Sequence, residues 1–122
     1  MADSPRVVIP SAALVERSKG QKFIVQYLGE PAQGFALRYE GRVYAYLNRC
    51  AHLGVGLDWQ EKEFFDHSGL YLVCATHGAL YQPETGLCVS GPCVGKALVP
   101  LNATEIDGKV YVTVEREHAG TR

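Results

Sequence analysis

Short alternating apolar runs broken by turn dipeptides leave this chain few folds. Residues 22–28 alternate, with Phe23, Val25 and Tyr27 on one face. Residues 34–39 and 42–47 flank Glu40-Gly41, and Ile106 and residues 110–114 flank Asp107-Gly108. Each pattern predicts a hairpin, because an X-Gly pair supplies the positive φ angles of a tight two-residue turn. Residues 70–73 and 97–101 read as further strands, and only residues 11–17 have room for a helix of barely two turns. Runs this short predict an all-β fold, an antiparallel barrel or sandwich.

Two boxes interrupt that framework. Cys50-Ala51-His52-Leu53-Gly54 and Cys74-Ala75-Thr76-His77-Gly78 are separated by the 21 residues between His52 and Cys74. Each offers one thiolate and one imidazole. In an extended segment residues i and i+2 point the same way, so Cys50 and His52 can address one centre. Cys-x-x-His is a turn spacing, and the glycine that follows lets the backbone curl back. The set suits a closed tetrahedral zinc site. It equally suits a two-iron, two-sulfur centre with two cysteines on one iron and two histidines on the other.

Size and charge narrow the function. The chain has 122 residues, 47% of them hydrophobic, enough for one domain with a modest core of its own. A formal net charge of −1 gives no reason to expect nucleic acid or an anionic membrane as partner. No apolar run approaches the roughly 20 residues of a membrane span, and the first residues lack the pattern of a signal peptide. The expectation is a cytoplasmic protein, in which four cysteines point to metal or redox chemistry sooner than to disulfides.

Cys-x-His-x-Gly followed by Cys-x-x-His-Gly-x-x-Tyr resembles the Rieske iron–sulfur proteins. The resemblance implies one Rieske-type [2Fe-2S] cluster, with Cys50 and Cys74 on the inner iron and His52 and His77 on the outer. It also implies a single domain over residues 1–122. A Rieske-like antiparallel β base, about 5–48 and 95–115, would carry an inserted loop-rich cluster-binding subdomain, about 49–94. Gly91-Pro92 resembles the family's proline loop over the cluster.

Departures from the pattern direct the reading to the soluble ferredoxin-like branch. Respiratory members carry a loop-bracing disulfide whose matching positions here are Val55 and Thr76. They also carry a serine where this chain has Ala79, while Tyr81 keeps the tyrosine that bonds a cysteine sulfur. One lost hydrogen bond to the cluster predicts a potential in the lower or middle part of the span of about −150 to +300 mV.

The resemblance implies an electron-transfer protein with no catalytic residues and no small-molecule substrate. It would pass single electrons from a flavin reductase to a terminal oxygenase or other oxidoreductase. Other readings are an accessory small subunit of a larger oxidoreductase, similar to that of nitrite reductase, a redox-sensing module using Cys88 and Cys93, and a zinc site. Cys88 and Cys93 read first as buried thiols beside the cluster. Trp59 reads as packing between subdomains, Glu61-Lys62-Glu63 as a solvated turn, His67 as a turn residue and His118 as part of a polar tail.

Overall fold

The hairpin dipeptides organise the chain as the sequence predicts. A computed structural model describes residues 7–49, 64–66, 68–74, 78–91 and 94–114. In chain order the strands are β1 (Val7–Pro10), β2 (Gln21–Tyr27), β3 (Glu30–Tyr39), β4 (Arg42–Leu47), β5 (Leu72–Val73), β6 (Leu80–Tyr81), β7 (Cys88–Ser90), β8 (Pro100–Ile106) and β9 (Lys109–Thr113). Every strand pairing is antiparallel. Six strands form one sheet in the order β1-β9-β8-β4-β3-β2, and its two end strands touch, so it is a nearly closed barrel. A second sheet, β5-β6-β7, lies between β4 and β8 in sequence.

Glu40-Gly41 and Asp107-Gly108 are the predicted two-residue turns, joining Tyr39 to Arg42 and Ile106 to Lys109. A third turn of the same kind, Leu28-Gly29, joins Tyr27 to Glu30. The run of residues 22–28 concealed it, because Leu28 continues the apolar pattern into the turn. The predicted helix over residues 11–17 is a single 3-10 turn, Ser11–Ala13. Pro10 opens it, and the Leu14 carbonyl then accepts a 2.8 Å bond from Arg38 Nε, which holds the chain extended beside β3. No helix among the described residues is long and apolar enough to cross a membrane.

Two cores explain why β3 outruns its predicted length. Gly34, Phe35, Ala36 and Leu37 are all buried, as in a strand covered on both faces. Ala36 points into the barrel with Val25, Ala45, Leu47, Leu101, Val110 and Val112. Phe35, Leu37, Tyr39 and, from β4, Tyr46 point outward into a second core with Phe64, Leu72, Cys74, Tyr81 and Leu98. Phe35 and Phe64 stack within this second core, with ring centroids 4.0 Å apart. The outer face of one hairpin is therefore the floor on which the second sheet sits.

Candidate metal centre

Cys74 leaves the end of β5 and turns at once. Its N–H donates to the Ala79 carbonyl at 2.9 Å, and the Gly78 N–H donates to the Cys74 carbonyl at 2.8 Å. Gly78 takes φ +70°, the left-handed conformation that glycine adopts without a Cβ clash. This is the tight turn the second box predicts. Cys74 is fully buried at its base, with Ala79 and Tyr81 equally inaccessible.

Gly91 meets this turn, while Pro92, the rest of the expected loop over the cluster, lies outside the described residues. Gly91 has φ +101°, and a Cβ there would stand 2.8 Å from the Ala79 Cα. Ala79 thus lies under Gly91, on the face where a bulkier side chain would collide. Cys88 is buried in the same core as Cys74, and its thiol donates to the Ser90 carbonyl at 3.3 Å. The Cys88 N–H donates to the Lys96 carbonyl at 2.8 Å, pinning both ends of the segment that includes Gly91.

The approach to the first box is equally fixed. Leu47 N–H donates to the Val99 carbonyl at 3.0 Å, and Asn48 N–H to the Gln33 carbonyl at 2.8 Å. Asn48 Nδ2 also donates to Gln33 Oε1 at 2.6 Å. The next guanidinium, that of Arg49, lies 5.6 Å from the centre of the Tyr27 ring. The first box therefore starts from a rigid end of the barrel, beside the β2–β3 hairpin tip.

Tyr46 staples the two layers together, a role its place in an alternating strand did not reveal. Its hydroxyl donates to the buried Pro83 carbonyl at 2.7 Å. Burial pushes its pKa well above that of an ordinary phenol, so the donor proton is retained through mildly alkaline solution. Gly86 makes room for the ring, since a Cβ there would stand 2.8 Å from Tyr46 Cε1.

Of the four predicted ligands, Cys74 is described; Cys50, His52 and His77 lie outside the described residues. So do Val55, Trp59, residues 61–63, His67, Thr76, Pro92, Cys93 and His118. What is described fits an iron–sulfur group. A thiol with no solvent exposure, in an aromatic and aliphatic core, is the soft donor such a cluster takes.

Comparison with known proteins separates iron–sulfur from zinc. The family model of the Rieske [2Fe-2S] domain matches residues 6–114. No curated protein sequence matches the chain. Among solved structures, the ferredoxin of carbazole 1,9a-dioxygenase from Nocardioides aromaticivorans IC177 is similar at 22% identity and TM-score 0.71. The match covers 93% of this chain and 100% of that one. The terminal oxygenase of carbazole 1,9a-dioxygenase from Novosphingobium sp. KA1 is 28% identical at TM-score 0.68, over 88% of this chain. A reduced complex between oxygenase and ferredoxin in carbazole 1,9a-dioxygenase matches at 20% identity and TM-score 0.68, over 89% of this chain. In these last two the chain spans only 28% of the matched chain.

Proposed function

The chain belongs to the Rieske [2Fe-2S] domain family, and we propose that it is a one-electron carrier between protein partners. The family's cofactor is a Rieske-type [2Fe-2S] cluster, which when bound accepts and releases one electron. In this reading Cys50 and Cys74 hold the inner iron and His52 and His77 the outer. The base is formed by about residues 5–48 and 95–115, and the cluster-binding subdomain by about 49–94. The observation that carries the proposal is the buried Cys74 in its Gly78 turn, within a family match that spans both sheets.

The chain's own residues supply a dry and rigid setting. Tyr81, fully buried in the core that holds Cys74, is the candidate donor to a cysteine sulfur. Ala79 has no hydroxyl to offer a second such bond. One donor in place of two favours a potential in the lower or middle part of the span of about −150 to +300 mV.

The partner classes are a flavin reductase as electron donor and a terminal oxygenase as acceptor. The oxygenase is supported by the fold shared with a ferredoxin of carbazole 1,9a-dioxygenase. The test is iron and acid-labile sulfide analysis of Cys50→Ser, His52→Ala, Cys74→Ser and His77→Ala, with His67→Ala as control. Each of the four is expected to lose or alter the cluster while His67→Ala retains it. A variant of the four that kept an unchanged cluster would remove that residue from the ligand set.

A further inference from the structure

We infer that the Leu28-Gly29 hairpin tip, with Ile24, Pro31 and Arg49, is a docking element for a redox-partner protein. The partner would offer an apolar socket for Leu28 and a carboxylate for Arg49. The inference rests on the electron-carrier reading and adds the surface that selects the partner.

The barrel contains its own control. The same two-residue turn is built three times, with φ +53° and +82° at Leu28-Gly29, +52° and +81° at Glu40-Gly41, and +50° and +78° at Asp107-Gly108. Glu40-Gly41 and Asp107-Gly108 share one end of the barrel, where Arg38 bonds both the Gly41 carbonyl and Glu105. Both present an acidic residue to water. Leu28-Gly29 sits at the opposite end, where Arg49 covers Tyr27 and is followed by Cys50. That turn presents a leucine at 83% exposure, the highest of the exposed large hydrophobics among the described residues.

Leucine is a poor choice for folding at this position. A left-handed residue in such a turn favours Asn, Asp or Gly, and a γ-branched side chain there is strained and exposed at once. Glu40 also departs from the favoured residues but keeps a charged side chain in water. Leu28 alone of the three puts an apolar side chain there, on the end that leads to the ligand boxes, and this points to a binding role.

The surroundings extend the patch. Ile24, Gln26, Pro31 and Gln33 occupy the outer face of the β2–β3 hairpin, by the register Ile24 to Gln33 and Gln26 to Pro31. Further along that face Phe35 and Leu37 are covered by the second sheet. Ile24 remains 58% exposed, so the apolar face continues past the edge of its own cover. Exposed Arg49 lies across the hairpin from that face, over Tyr27, and supplies the cation at this end of the barrel. A redox partner must approach the boxes to exchange an electron; Leu28 follows Tyr27 in sequence, and Arg49, which lies over the Tyr27 ring, directly precedes Cys50. A partner seated there covers the strained leucine.

The test uses the full-length, cluster-loaded protein. A benzophenone amino acid is placed at position 28, and for comparison at position 107, in cells that make the protein. Light is expected to join position 28, and not position 107, to a flavoprotein or iron-containing oxygenase that exchanges electrons with the cluster once purified. With that purified partner, Leu28→Asn and Arg49→Gln should each raise KM at least about fivefold with kcat little changed. Asp107→Asn should not. Asparagine relieves the turn, so Leu28→Asn should raise the melting temperature while weakening the partner, a pairing that damage to the fold would not produce. Cluster absorbance and reduction by dithionite should match the wild type. An unchanged KM in both variants, crosslinking at position 28 only to a second copy of this chain, or no crosslink there overturns the proposal. Loss of the electron-carrier reading is distinguishable: the wild-type protein itself would then carry no iron and sulfide.

Discussion

Gly91 lies so close to Ala79 that a Cβ on the glycine would stand 2.8 Å from the Ala79 Cα. This contact seats the Gly-Pro segment directly on the turn that carries Cys74. Gly91→Ala is expected to cost about 2–3 kcal/mol, combining left-handed strain with the clash. Gly95→Ala provides the comparison, because Gly95 has a similar φ of +92° with no atom near a Cβ. It should cost only the backbone strain, about 1 kcal/mol. Urea unfolding of both variants checks the difference; equal costs would mean that the close approach is not needed.

Tyr46 joins strand β4 to the Pro83 carbonyl by a buried 2.7 Å hydrogen bond. Tyr46→Phe keeps the ring against Gly86 and leaves that carbonyl unsatisfied, at a cost of about 1–3 kcal/mol. Denaturant unfolding measures the loss. Alkaline titration followed by tyrosinate absorbance should show one late-titrating tyrosine fewer in the variant, since burial raises the Tyr46 pKa.

Phe64 is fully buried and stacks on Phe35 at an interplanar angle of 12°. Truncation to alanine removes a ring from the middle of the second core, where it packs on the outer face of β3. Phe64→Ala is expected to destabilise by about 3–5 kcal/mol, read from the urea midpoint. Phe64→Leu, which refills most of the space, should lose distinctly less.

How far the sequence reached follows from these same residues. Glu40-Gly41 and Asp107-Gly108 were legible because acidic-Gly pairs stand between alternating runs. Leu28-Gly29 was not, since a leucine in a turn reads as more strand. The full length of β3 was hidden because Phe35 and Ala36 are buried on opposite faces, which erases alternation. β1 is a four-residue strand secured by pairing with β9, a contact no local pattern announces. β6 and β7 are shorter still and exist because Gly86 lets the chain fold back beside Tyr46. Box spacing, by contrast, is local chemistry, so the Cys74 turn could be read directly. The Tyr46–Pro83 link joins residues 37 apart in sequence and has no local signal.

Arg38 closes the other end of the barrel. Its guanidinium donates to both Glu105 carboxylate oxygens, at 2.7 and 3.1 Å, and to the Leu14 carbonyl. The Arg38 hydrogen bond holds the Glu105 pKa at about 2, down from an ordinary 4.5. A depressed carboxylate pKa stabilises the fold above its unfolded-state value. That contribution is lost as pH falls from about 4.5 toward 2. Solvent screening limits it to about 1–2 kcal/mol. The stability difference between wild type and Glu105→Gln should therefore be full at pH 7 and shrink through that window. A difference independent of pH would contradict the assignment.

The cluster of this family's domain is proposed to be held by Cys50, His52, Cys74 and His77. The most direct measurement is EPR of the dithionite-reduced protein, with iron and sulfide counted on the same sample. The account predicts a low-average-g signal with two iron and two sulfide per chain, the content its family's domain specifies. A colourless protein with one zinc and no EPR signal on reduction would contradict it.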